Sequence, residues 1–366
     1  MKRTTLMLLF SLTSPLLRLY ADGPSKCGTN LTTLTVGTDI AGNIGYPPFE
    51  QQVGANLVGF DIAVATEISH RLGFQSTTFR QIPFSSFDIT NNPFPLLHEL
   101  NKPVSQLDIA VAALSIVDRP DPLRRTTIGF TNIGSVIYND DSMGVIISAK
   151  ADAKFSDPAT FLQLINDSNT PTQSANAVLI QNSREQMIVN ANQFFLNVED
   201  QYKNIEVIAK ITLQEVVAEF NSTLNNQALT NRRFIFVDNA TAFKLINDTS
   251  LFPEGSVRFI SNVIDAKNVS PSKGLGIAVG GITQGSEACD QLLENIAQAV
   301  KDMVADGTLA RLREEFNVTS SDDNLGTTSI TTNTQVTINS NVLHNFYFSK
   351  YGTPIMIIGL PVPVIK

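Results

Sequence analysis

Val58-Gly59-Phe60-Asp61-Ile62-Ala63-Val64-Ala65-Thr66-Glu67-Ile68-Ser69-His70-Arg71-Leu72-Gly73 leaves a strand, turns at Gly59 and continues as a helix. Ile62, Ala65, Ile68 and Leu72 recur at helical spacing, and Glu67, His70 and Arg71 fall on the other side. Gly73 suits the left-handed residue that follows a helix end. Upstream, Leu34-Thr35-Val36-Gly37-Thr38 alternates as a first strand, and Tyr46-Pro47-Pro48-Phe49 is a proline-stiffened loop ending in an aromatic. Downstream, residues 75–82 read as a second strand, residues 84–95 as an irregular Phe-, Asn- and Pro-rich stretch, and residues 107–113 as a buried strand. Strand, helix, strand in this order predicts an α/β fold with a parallel sheet covered on both faces.

A second α/β set follows. Residues 176–180, 205–211 and 234–238 read as strands, and residues 183–195 and 213–221 as helices. Residues 274–279 read as a strand returning to the first set. The helix over 286–304 carries Leu292, Leu293, Ile296, Val300 and Met303 on one side, and Asp306-Gly307 ends it.

A chain of 366 residues accommodates two domains of ordinary size, and 43% hydrophobic content suits a globular protein. Residues 1–21 have the form of an export signal: Lys2 and Arg3, then an apolar run from Leu6 to Phe10, then Ala21 at a cleavage position. A retained signal anchor is the alternative. The formal charge is −8, and without Lys2, Arg3 and Arg18 it becomes −11, with 23 basic against 34 acidic side chains. That balance argues against nucleic acid or anionic membrane surfaces as partners. In an exported chain the two cysteines, Cys27 and Cys289, suggest one disulfide; two separate thiols are the alternative.

The Tyr-Pro-Pro-Phe loop followed by Gly-Phe-Asp and an amphipathic helix resembles the opening of the extracytoplasmic solute-binding proteins of family 3, which hand polar amino acids to ABC importers. The resemblance runs from about Leu34 to Asn317. It implies a type II periplasmic binding-protein fold, two lobes joined by two crossings with the ligand between them. The expected organisation is a signal peptide over 1–21, the first part of lobe 1 over 30–134, lobe 2 over 135–262, the second part of lobe 1 over 263–317, and a C-terminal tail of unassigned role over 318–366. The crossings would lie near residues 130–137 and 259–267. For the tail, a pinned extended arm, a dimer contact and disorder all stay open, with residues 336–348 as a possible strand.

A free amino acid is a zwitterion, and removing it from water demands a partner for each charge. Guanidinium and helix-start amides meet a carboxylate, and an acid meets the ammonium. By resemblance Phe49 packs on the ligand, with Phe84 or Phe87 as a second aromatic and Tyr46 as a further candidate; ordinary core is the plain alternative. Ala113-Leu114-Ser115-Ile116-Val117-Asp118-Arg119 resembles the family stretch in which a small residue, a hydroxyl and an arginine contact the ligand carboxylate. Ala113 stands where the family has glycine, and one residue before the arginine is missing, so Arg119 is the first choice and Arg124 the second. Both being surface arginines is the alternative. Ser183 and Asn182, at a strand-to-helix turn, match the family's Gly-Thr pair with the hydroxyl kept and the glycine lost. Ser183 and Gln186 also have capping-box spacing. Asp238 ends the apolar strand Phe234-Ile235-Phe236-Val237 and matches the family aspartate that binds the ammonium; a buried structural acid is the alternative.

Seven Asn-x-Ser/Thr sequons, beginning at Asn30, Asn166, Asn221, Asn239, Asn247, Asn268 and Asn317, fit either a secreted glycoprotein or an Asn-rich bacterial composition. The three histidines, His70, His98 and His344, show no metal-ligand spacing, and no serine elbow or phosphate loop occurs. The expectation is an exported binding protein rather than an enzyme, periplasmic and monomeric, with an ABC permease as partner and no cofactor. A cyclohexadienyl dehydratase-like enzyme and a sensory ligand-binding module are the alternatives.

Overall fold

The computed structural model describes residues 32–40, 44–86, 94–102, 105–117, 133–140, 142–151, 175–181, 205–226, 228–264, 272–280, 287–318 and 328–330, with Cys27, Asp157, Pro158, Thr160, Phe161, Ser183, Glu185, Gln186, Val189, Leu325 and Gly326. Contacts divide the chain into residues 1–331 and 332–366, the latter outside the described residues.

The first sheet contains β1 (Thr33–Thr38), β4 (Ser76–Gln81), β5 (Ile109–Val117), β6 (Ile133–Asn139), β12 (Ser272–Gly280) and β13 (Thr328–Ile330), in the order β13-β6-β12-β5-β1-β4. The second contains β7 (Met143–Ser148), β8 (Asn176–Ile180), β9 (Glu206–Lys210), β10 (Arg233–Asp238) and β11 (Val257–Ile264), in the order β11-β7-β10-β8-β9. A small hairpin joins β2 (Gln51–Val53) to β3 (Asn56–Val58). The helices are α1 (Phe60–Arg71), α2 (Pro95–Asn101), α3 (Leu213–Asn221), α4 (Asn239–Ile246), α5 (Glu287–Ala305) and α6 (Thr308–Phe316).

The sheets are mixed, where the sequence order predicts a parallel one. The pairs β1/β4, β1/β5, β8/β9 and β8/β10 are parallel, as strand–helix–strand crossovers require. Strands that carry the chain between the sheets run the other way: β12 is antiparallel to β5 and β6, and β7 to β10 and β11.

Alternation along the strands builds the cores. In β5, Ile109 and Val111 join Leu34, Val36, Val64, Ile68, Ile296 and Val300 beneath α1 and α5. Its neighbours Ala110, Ala112 and Leu114 pack with Leu96, Leu97 and Leu100 of α2. In the second sheet Val145, Phe234 and Phe236 face one way, and Ile146, Ile235 and Val237 face α3 and α4. Each such fully buried side chain contributes about 1.5–3 kcal/mol.

The chain changes sheets later than expected. β6 pairs with β12 and β13, so the first crossing follows Asn139, and a boundary at 134/135 would cut that strand. β11 stays in the second sheet to Ile264, and the return to β12 runs through residues outside the description. From the tail, β13 adds an edge strand to β6, while residues 336–348 lie outside the described residues. α2 and the β2–β3 hairpin are not legible in the pattern. α2 begins at Pro95, whose missing N–H costs nothing in a first turn. Cys27 and Cys289 form a disulfide buried in the first sheet's core.

Candidate functional site

Gly59 explains why the opening motif works. A Cβ there would sit 2.2 Å from the Phe49 carbonyl oxygen, and its φ is +138°. The loop therefore lies directly on the start of α1, whose Phe60 and Asp61 amides donate to the carbonyls of Pro48 (2.9 Å) and Phe49 (3.0 Å). The Phe49 ring turns into the core, stacked on Tyr46 and edge-on to Phe60, with ring centroids 6.0 and 6.3 Å away. Its place is thus the plain alternative of the sequence reading, and Tyr46, two prolines earlier, is the aromatic that reaches open space.

That space is a crevice open to solvent at the carboxyl ends of strands from both sheets. Asp39 follows β1, Tyr46 and Glu50 bracket the proline loop, and Phe84 follows β4. Ala112, Ala113 and Ser115 come from β5. Ile180, Ser183 and Glu185 follow β8, and Asp238 ends β10. The structure brings together Phe84, Ala113, Ser115, Ser183 and Asp238 from the sequence-predicted set. Arg119, Arg124, Asn182 and Phe87 lie outside the described residues.

Asp238 is 6% exposed and sits at the N-cap position of α4, but its side chain caps nothing there. Instead its Oδ2 accepts a 2.5 Å hydrogen bond from the Tyr46 hydroxyl, which links the two sheets across the crevice. Burial, then the neighbouring Asp238 and Glu185 carboxylates, pushes the Tyr46 phenol well above its ordinary value.

Behind the wall lies a second acid group. Asp61, fully buried at the positive end of α1, accepts from the Ala113 amide (2.7 Å) and the Tyr138 hydroxyl (2.6 Å). Burial still raises its pKa, against the lowering by these two bonds and a third from Glu50. Glu50 is pushed well above its ordinary 4.5, first by burial and then by Asp61, Asp39 and Asp238. Both acids are thus held above their ordinary values, and their contact pushes Glu50 up while it lowers Asp61. A raised carboxyl pKa stabilises the fold fully below 4.5, and that contribution is lost as pH rises toward the folded value. Glu50→Gln in the ligand-free protein should therefore gain stability over wild type as pH rises from 4.5, by about 1.4 kcal/mol per unit until Glu50 ionises in the folded state. Melting curves over that range check this; parallel curves would contradict it.

Ala113 occupies a left-handed conformation, φ +44°, at a β-bulge opposite Gly276–Ala278. The bulge frees its amide from the ladder and aims it at Asp61. A side chain is strained there, so Ala113→Gly is expected to raise stability by about 1 kcal/mol in urea unfolding. An unchanged or lower midpoint would contradict the strain.

Ser183 accepts from the Gln186 amide (3.3 Å), half of the capping-box pattern. The Asn239 amide is buried and bonded to Ser142 and Asn262, so the sequon beginning there has no side chain free for a glycan. Asp39, Glu50, Ala112, Ile180 and Glu185 are the wall residues that the sequence reading did not single out. Asp39 follows a strand, as Asp238 ends one, but that strand alternates with threonines and lacks the apolar run that marks Asp238. Glu50, one residue beyond the aromatic, had no local signal. The described wall therefore carries four carboxyl groups and no lysine or arginine.

The chain matches the family described as bacterial extracellular solute-binding proteins, family 3, over residues 34–319. No curated protein matches it. Among solved structures it is similar to a periplasmic binding protein of an arginine third transport system from Legionella pneumophila, at 19% identity and TM-score 0.53, covering 78% of this chain and 99% of that one. It is also similar to the substrate binding protein of an amino acid ABC transporter, at 16% identity and TM-score 0.52, covering 78% and 98%. An ancestral amino acid-binding protein, a precursor of cyclohexadienyl dehydratase, is similar at 17% identity and TM-score 0.51, covering 78% and 94%. At these identities the likeness concerns the fold, the type II periplasmic binding-protein arrangement of two mixed sheets.

Proposed function

Because the chain belongs to the bacterial extracellular solute-binding proteins of family 3, we propose that it captures a polar amino acid in the crevice between its two sheets and delivers it to an ABC importer. The observation that carries this reading is Asp238: a buried acid at a strand end, turned away from its own helix and toward the crevice. An ammonium is the partner such a carboxylate needs once water is excluded. The Ser183 hydroxyl on the crevice wall offers a donor for the ligand carboxylate, with Arg119, or Arg124 in its place, as the guanidinium.

Four carboxyl groups on the wall favour a ligand with an additional positive charge, so a cationic amino acid is the preferred class. The Legionella protein above is described with an arginine system, which is in keeping with this charge. In the proposal the protein is exported to the periplasm after loss of residues 1–21, acts as a monomer and binds without turnover. Closure of the two halves about the crossings would bury the ligand and present both to the permease. A thermal-shift screen over the standard amino acids tests it, since a ligand at 100 times its Kd adds about 2.7 kcal/mol of stability. If no amino acid moves the transition, the amino-acid reading fails.

A further inference from the structure

Glu50 is an unusual carboxyl group. It is held by a β-bridge to Tyr46, and the Gly45 and Gly59 backbones pack against it. Its side chain is 1% exposed, yet it lines the crevice. The carboxyl lies beside Asp61, and its Oε2 is buried with no hydrogen-bond partner among the described residues. A structural acid is normally satisfied at both oxygens, and an orphaned buried acceptor is costly. Facing it, among the described residues, are Asp61 from α1, Asp39 after β1, Asp238 at the end of β10 and the Tyr138 phenol from β6. None of these groups is a cation, and burial beside them holds the Glu50 carboxyl well above its ordinary value.

We propose that Glu50 reads a cationic group of the bound amino acid and gives up its proton to solvent as that group docks. A carboxylate–cation pair forms inside the crevice, and Oε2 gains the donor it lacks. The inference rests on the amino-acid-binding reading above and adds to it a proton-coupled specificity residue. Affinity for a cationic ligand then rises about tenfold per pH unit while Glu50 is protonated in the free protein, and levels off above that range.

Calorimetric titration between pH 5 and 9 in buffers of different ionisation enthalpy tests this, with L-arginine as the probe and L-citrulline as its uncharged counterpart. Arginine binding should release about one proton at the acid end of the range and citrulline none. Glu50→Gln should abolish the release and weaken arginine binding about thirtyfold or more relative to citrulline. Equal proton release for both ligands, release that survives Glu50→Gln, or binding confined to uncharged amino acids overturns the inference and leaves the amino-acid reading standing. Should Glu50→Gln not fold, the wild-type comparison of the two ligands decides. Failure of every amino acid to bind removes both readings.

Discussion

Asp238→Asn is expected to weaken binding of the captured amino acid by about two to four decades, because leaving a buried charge unpaired costs about 3–5 kcal/mol. The substitution keeps the shape of the side chain and its ability to accept from the Tyr46 hydroxyl, so the fold should survive. Circular dichroism and melting temperature close to wild type, together with lost calorimetric binding, are the expected pair of results. Tyr46→Phe serves as the control. It removes the donor to Asp238 and keeps the acid, so it should retain far more binding than Asp238→Asn. If the two variants lose affinity equally, the hydrogen bond across the crevice matters and the acid's charge does not.

Replacing both cysteines, Cys27→Ser with Cys289→Ser, is expected to have the largest effect on stability, a loss of about 3–5 kcal/mol. The bridge spans 262 residues of sequence, and closing so long a loop removes much freedom from the unfolded chain. It also ties Cys27 to the start of α5, whose Leu292, Leu293 and Ile296 pack beneath the first sheet. Urea unfolding of the variant, and of wild type under reducing conditions, measures the effect; coincident midpoints with the oxidised protein would contradict it. Neither cysteine lines the crevice, so ligand affinity at low urea should be unchanged.

The parts legible in the sequence are those with local causes. α1, α3, β8 and β10 follow from periodicity and from apolar runs ending at a strand end, and in the structure a capping box of Thr212 and Glu215 fixes the start of α3. The place of Asp238 on the crevice wall was legible for the same reason, since an acid closing an apolar strand has few places to go. What was not legible depends on long-range pairing. β6 and the antiparallel insertion of β12 are decided by which sheet each strand joins, and a buried apolar run carries no mark of its partner. Phe49 and Tyr46 lie three residues apart in one loop, and only the close approach at Gly59 decides that Phe49 enters the core. The pairing of Glu50 with Asp61 depends on how the proline loop lies on α1, which no local pattern encodes.

The central claim is that Asp238 holds the ammonium of an amino acid between the sheets. Its most direct measurement is a binding cycle that pairs wild type and Asp238→Asn with an amino acid ligand and with the same ligand lacking its α-amino group. The expected result is that wild type prefers the amine-bearing ligand by about a hundredfold or more, and that the preference disappears in the variant. An equal preference in both proteins would contradict the claim.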